Sequence, residues 1–223
     1  MAVKSVLRKE RMRMNTLLFV LIGVIIGFAG DYYGLEYYKK RFNKKWNVKK
    51  SYIPAMLLCG LGGGIFYIYG YRAFTIILYI VLFSALLVIG HIDKEQMIIP
   101  DAIIRTLFSI RIITLAIEML LDKDNAFWIL GSAVMGLIYG TVIFLIVRIF
   151  AREGIGLGDV KLFAVIGFFV GNKTILWLML SSFLIAMVSG LIKVAKKELS
   201  MKDAVSFGPY ITAGSILIML LGV

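Results

Sequence analysis

Arg152-Glu153-Gly154-Ile155-Gly156-Leu157-Gly158-Asp159-Val160-Lys161 is a short polar stretch set between two long apolar runs. Its glycines at three alternate positions run into an aspartate, and a hydrophobic segment begins at once. Glycine lets backbone bend sharply and lets another chain approach closely. A carboxylate at the edge of a hydrocarbon layer is costly and usually functional. A second acidic cluster, His91-Ile92-Asp93-Lys94-Glu95 with Pro100-Asp101 after it, sits at another such edge.

The flanks decide the fold class. Hydrophobic residues make up 61% of the 223-residue chain, and its mean hydropathy is +0.92. Several runs reach the roughly 18–20 residues that cross about 30 Å of hydrocarbon as a helix. This predicts an all-α, polytopic integral membrane protein with about eight transmembrane helices, in one membrane-embedded domain over 1–223. The expected spans are near Met14–Gly30, Tyr52–Tyr69, Ala73–Gly90, Asp101–Leu121 and Ala126–Phe150. They continue with Val160–Val170, Ile175–Val194 and a last one from Phe207-Gly208-Pro209 to the C-terminus. The first span follows a basic segment, but no small-x-small pattern follows it, so a retained helix is expected and not a cleaved signal.

Charge and rare residues narrow the function. The net charge is +12, with Lys and Arg grouped at span ends. That fits orientation signals and lipid headgroup contacts, with no nucleic-acid partner expected. The single cysteine, Cys59, lies in an apolar run and can form neither an intrachain disulfide nor a CxxC pair. The single histidine, His91, excludes a multi-histidine metal site, so no metal is expected.

Basic residues also predict a topology. Counting Lys and Arg in or flanking each loop, Asp31–Ser51 after span 1 holds seven, the loop after span 3 one, that after span 5 three or four and that after span 7 four. The segments after spans 2, 4 and 6 hold one each, Arg72, Lys123 and Lys173. The positive-inside rule then puts the odd-numbered loops in the cytoplasm, against which the five charges before span 1 stand as an exception. Two spans separate the Asp93 loop from the Asp159 loop, so both emerge on the cytoplasmic face. Span 6 is only eleven residues, about 17 Å. The glycine stretch is therefore expected to dip below the surface, with Asp159 at or just inside the boundary.

Two carboxylates in one site cannot both ionise cheaply, which leaves one acid and one base around a shared water. Aspartic proteases attack a peptide carbonyl in this way, and the chemistry needs no metal, Ser or Cys. Gly156 and Gly158 would let an extended substrate lie beside Asp159. A helix starting at Asp159 would favour its ionised form.

The order of motifs is specific. Ile92-Asp93, six residues, then Pro100-Asp101 is followed by Glu153-Gly-Ile-Gly156-x-Gly158-Asp159-Val-Lys161-Leu162 and by Phe207-Gly208-Pro209-Tyr210. With the 66-residue separation of the two aspartates, this resembles the type IV prepilin peptidase family, GxGD-type aspartic proteases of the bacterial inner membrane. The resemblance covers most of the chain from span 2 onward. It implies that Asp93 and Asp159 are the catalytic pair. It also implies that the substrates are prepilins of type IV pili or pseudopilins of type II secretion, cut on the cytoplasmic side before their hydrophobic helix.

One departure is large. Typical bifunctional members carry two CxxC pairs in the first cytoplasmic loop, as a zinc-binding element, and also N-methylate the product. Asp31–Ser51 has no cysteine, so a basic cytoplasmic loop stands in that element's place. No zinc is expected, and methyl transfer from S-adenosylmethionine stays open. Among the remaining polar residues, Glu95, Asp101 and Glu153 are read as supporting or helix-capping groups. Lys161 is read as a substrate-holding or Asp159-tuning residue, or a snorkelling one. Arg111, mid-span, is expected to face protein, towards Glu118 two turns on. The alternatives are a GxGD protease for preflagellin-like substrates or signal peptides, and a carboxylate-based ion or proton transporter.

Overall fold

The computed structural model describes residues 2–42, 52–150, 156–197 and 205–222. The regular elements among them are α1 (Ala2–Phe42), α2 (Tyr52–Ile68), α3 (Ala73–Gln96), α4 (Asp101–Leu121), a 3-10 turn at Lys123–Asn125, α5 (Ala126–Phe150), α6 (Leu157–Ala195) and α7 (Gly208–Leu221). The protein is an all-α polytopic membrane protein. Among the described residues, Met12–Arg41, α3, Lys123–Phe150 and α6 are long and apolar enough to cross a membrane. Their outer faces are apolar too, as with Phe127, Trp128, Ile149 and Phe150 on α5, which suits a lipid-facing exterior.

Seven α-helices stand where about eight spans are expected, and three boundaries differ. Helix α1 takes in the polar residues ahead of span 1 and runs on to Phe42, through the first half of the stretch read as a loop. Its sequence has no proline and is rich in Lys, Arg, Leu and Met, which favour helix. Gly30 and Gly34 are packing sites in it, since a Cβ at either would strike Ser84 or Val88 of α3. The rest of the stretch, residues 43–51, lies outside the described residues.

Helix α3 continues past Gly90, so Asp93 stands on its last turn and not in a loop. No proline interrupts Gly90–Gln96. The helix stops at Met97, which takes φ 54° and donates its N–H to the Asp93 carbonyl at 2.8 Å. This is a left-handed C-terminal cap with a methionine where glycine is usual.

The expected spans 6 and 7 are the two arms of α6, with no loop between them. At Gly171 the backbone leaves the helix, at φ 81° and ψ −180°. Phe163 and Phe183 would be about 30 Å apart on a straight helix. Both rings instead lie beside Phe144 of α5, at 4.2 and 5.4 Å between centroids. The chain therefore folds back at Gly171. A Cβ there would collide with Ser132, and φ in this range suits glycine. Fourteen residues precede the reversal and twenty-four follow it, so the second arm overruns the first by about 15 Å.

The chain forms two compact units, one over Met1–Val88 and one over Ile89–Leu221. In the first, Gly23 and Gly27 of α1 lie against the backbone of Cys59 and Ala55 of α2. Small residues let helices close up where lipid offers no hydrophobic drive. Phe66 sits at the centre of a ring cluster with Tyr71, Tyr79 and Phe83, at 5.4–5.8 Å.

In the second unit, Gly136 and Gly140 of α5 abut the backbone of Gly167 and Phe163 in the first arm of α6. That arm runs alongside α4 in the same direction, with Asp101 beside Lys161 and Phe108 beside Phe168. Arg111 is buried and pairs with Glu118 at 2.8 Å, the partner expected from the spacing. Its Nε donates to the Phe168 carbonyl at 2.9 Å. Because Gly171 breaks the ladder, carbonyls at the end of the first arm need partners from elsewhere, and Arg111 supplies one. Ser132 fixes the other side of the reversal by donating to Asn172 at 3.2 Å.

Candidate active site

Asp159 occupies the third position of α6, after the extended residue Gly156 at φ −73° and ψ 154°. Its Oδ2 accepts the Gly156 N–H at 3.0 Å. This is the reach-back half of a capping box, in which a side chain three residues in satisfies the N-cap amide. The carboxyl is 7% exposed, at the positive end of its own helix.

Asp93 is held differently. Its Oδ2 accepts the Gly208 N–H at 2.8 Å, across 115 residues of sequence. Gly208 begins α7, so this amide is one that no intrahelical acceptor satisfies. Asp93 is 5% exposed and points at the positive end of a foreign helix. A Cβ at Gly208 would fall 2.7–2.9 Å from the Asp93 carboxyl atoms, so only glycine leaves the room. Gly90, one turn back on α3, closes against Thr212 of α7 and brings the two helices together.

The two carboxyls are close enough for the charge of Asp93 to act on Asp159. Phe207, the residue before Gly208, helps to join their supports. Its ring lies 6.5 Å from Phe163, one turn beyond Asp159, and 5.8 Å from Phe144. Ile99, just after the end of α3, packs on Gly158, where a Cβ would come within 3.0 Å of the Ile99 Cβ. The arrangement is thus two buried carboxyl groups near enough for the charge of one to act on the other, each with one oxygen tied to a backbone amide at a helix start. Two carboxyls whose charges act on each other resist ionising together, which leaves one acid and one base.

The other residues singled out from the sequence divide. Lys161 turns to Asp101 at 2.7 Å and makes no ion pair with Asp159. Both partners are more than half exposed, so solvent screens the pair and it contributes little. Glu95 is exposed on the last turn of α3, and no described contact links its side chain to either aspartate. Glu153 lies outside the described residues. Sequence reasoning noticed Phe207-Gly208-Pro209 but missed what Gly208 does, because nothing in a glycine says which carboxyl its amide will meet. It also missed the Tyr210 hydroxyl, which bonds Ser189 and Lys193, both at 3.1 Å.

Comparison with known proteins bears on the same region. Residues 80–191 match the model of the Type IV leader peptidase family. The chain is 32% identical over 143 residues to the prepilin leader peptidase/N-methyltransferase of Bacillus subtilis (strain 168), covering 64% of this chain and 55% of that protein. To the protein of the same name from Stutzerimonas stutzeri it is 26% identical over 181 residues, 80% of this chain and 61% of the relative. For that of Pseudomonas putida the figures are 32% over 144 residues, 62% and 47%. The chain thus spans about half to three fifths of the length of these curated relatives. No solved structure matches it.

Proposed function

The chain belongs to the type IV leader peptidase family, and from that membership we propose that it is a membrane aspartic endopeptidase. Its substrates on this reading are type IV prepilins or pseudopilins, cleaved between leader and hydrophobic helix. The observation that carries the proposal is the pair of buried carboxyls, Asp93 and Asp159, each anchored on one oxygen and near enough for the charge of one to act on the other.

Anchoring leaves the second oxygen of each carboxyl for water and substrate. A water between them loses a proton to the ionised member as its oxygen bonds the scissile carbonyl carbon. The protonated member gives its proton to the carbonyl oxygen, forming a neutral diol. The first member then passes its acquired proton to the amide nitrogen, the C–N bond breaks, and the diol collapses to an acid as the second member regains a proton. No covalent enzyme intermediate arises, and neither lone carboxyl suffices.

The whole of 1–223 is read as the peptidase, in the bacterial inner membrane with the aspartates facing the cytoplasm. The charge distribution of the loops supports that side. The relatives carry N-methyltransferase in their names, and methylation is not part of this proposal. Cysteine-based zinc binding does not fit the chain, whose single cysteine, Cys59, is buried.

The test is purified protein in liposomes with a prepilin and S-adenosylmethionine, the product read by its N-terminus and mass. Cleavage before the hydrophobic helix is expected, and is expected to vanish in Asp93→Asn and in Asp159→Asn. Wild-type cleavage rates in either variant would rule out the dyad. A product heavier by one methyl group would add methyl transfer to the activity.

A further inference from the structure

The peptide unit joining Phe207 to Gly208 is held on both sides. Its N–H donates to Asp93 at 2.8 Å, while its carbonyl accepts the N–H groups of Tyr210 at 3.0 Å and Ile211 at 3.1 Å. A trans peptide is planar, with C=O and N–H pointing opposite ways, so whatever fixes the carbonyl also aims the amide. Tyr210 is the next link in that chain of contacts. Its hydroxyl accepts from the Lys193 Nζ at 3.1 Å and bonds the Ser189 hydroxyl at 3.1 Å, and these two residues lie one turn apart on the second arm of α6.

We propose that Tyr210 is a positioning residue for the cleavage reaction: latched by its hydroxyl to Ser189 and Lys193, it sets the direction of the Gly208 amide and through it the Asp93 carboxyl. The proposal rests on the peptidase reading above and adds the residue that orients one member of the aspartate pair.

The latch stands where α7 needs one. A second polar tie between α7 and the same arm, Ser181 donating to the Gly214 carbonyl at 3.2 Å, lies about 9 Å along the helix from Gly208, too far to aim the first amide. Phe207 packs by its ring against Phe163 and Phe183, and ring packing tolerates small rotations that a hydrogen bond does not. Tyr210 is held at both its tip and its face, since the Lys193 ammonium also lies 5.8 Å from the ring centroid, a cation–π distance. The end of α3 comes to the same place. Lys94, next in the chain to Asp93, is near enough for its charge to act on Tyr210. Helix α3, the second arm of α6 and α7 therefore converge on this side chain, two residues from the amide that holds Asp93.

The experiment reads the amide and the reaction separately. Phe207-Gly208 is the only Phe-Gly pair in the chain, so protein carrying phenylalanine labelled at the carbonyl carbon and glycine labelled at nitrogen shows the Gly208 amide by itself in NMR spectra. Tyr210→Phe is expected to speed hydrogen exchange at that amide about tenfold and to lower kcat on a full-length prepilin about tenfold, with KM within about twofold. Added to Gly208→Ala, Tyr210→Phe should cost less than about twofold more in kcat, since both act on one hydrogen bond. An unchanged exchange rate, an unchanged kcat, or a further loss of about tenfold on top of Gly208→Ala would overturn the proposal. If Tyr210→Phe does not fold, Ser189→Ala combined with Lys193→Met removes the same two bonds and carries the same expectations. If the unsubstituted protein cleaves no prepilin, the peptidase reading has failed, and the exchange rate alone decides whether Tyr210 aims the amide.

Discussion

The end of α3 and the start of α6 each present an aspartate, and they solve the same problem in opposite ways. Asp159 satisfies itself locally: its carboxyl reaches back three residues to the Gly156 amide, within a motif readable as a string. Asp93 depends on an amide 115 residues away, delivered by α7 after the chain has crossed four further helical segments. The first geometry survives as long as α6 starts where it does. The second exists only if α3 and α7 are packed together. One carboxyl is therefore as robust as its own helix, and the other as robust as the fold.

Substitutions grade that contrast. The largest effect is expected from removing either ionisable group: Asp93→Asn and Asp159→Asn should each lower prepilin cleavage by about 10³-fold or more, with the protein still extracted from membranes as a folded monodisperse species. A variant that cleaves at near wild-type rate would show that the two are not partners.

Next is Gly208→Ala. The added Cβ would meet the Asp93 carboxyl at 2.7–2.9 Å, pushing it from the amide that holds it. A loss of about 10²-fold in kcat is expected, with a melting temperature lowered by no more than a few degrees. Unchanged activity would mean that the long-range hydrogen bond is dispensable.

Gly158→Ala comes third. Its Cβ meets the branched side chain of Ile99 at 3.0 Å, which can yield by a few tenths of an ångström, so a loss of about tenfold is expected. Ile99→Val in the same chain should recover part of it. Without such recovery the contact is not what makes Gly158 necessary.

The smallest effect falls on the anchor of Asp159. Gly156 has ordinary extended backbone angles, and a Cβ there sits 3.4 Å from the Asp159 carboxyl, at van der Waals contact. Gly156→Ala should change kcat/KM by less than about threefold. A large loss would show that the locally closed carboxyl is as sensitive as the distant one, and the contrast would collapse.

Much of the helix framework was legible in advance. The starts of α2, α3, α4 and α5 coincide with expected span starts at Tyr52, Ala73, Asp101 and Ala126. In each case a long apolar run is bracketed by turn residues or charges, and a single run of that kind has one economical conformation in lipid. The Arg111–Glu118 pair was legible for a related reason. Seven residues is close to two full turns, and a buried guanidinium in hydrocarbon must find an acceptor. Asp159 at a helix start could likewise be read, because glycine before an apolar run is a local signal.

Other features were not legible, and each fails for a nameable reason. Phe42 as the end of α1 was hidden because charged residues favour helix as much as they favour loops. Asp93 on a helix was hidden because the polarity of Asp93-Lys94-Glu95 mimics a turn. The reversal at Gly171 was read as a loop, since a single residue at φ 81° replaces the several that a turn between spans ordinarily takes.

The sequence by itself determined that this chain is a membrane-embedded helical protein with two acidic motifs at span ends, because hydrophobic length and glycine spacing are properties of contiguous residues. It also determined that Asp159 would stand at a helix start, because glycines ahead of an apolar run are a local signal. Only the tertiary structure decided that Asp93 would be held by Gly208 and that α6 would fold back beside Phe144. Those depend on which helices touch, and helix contact in lipid is settled by small-residue packing and scarce polar partners spread along the whole chain.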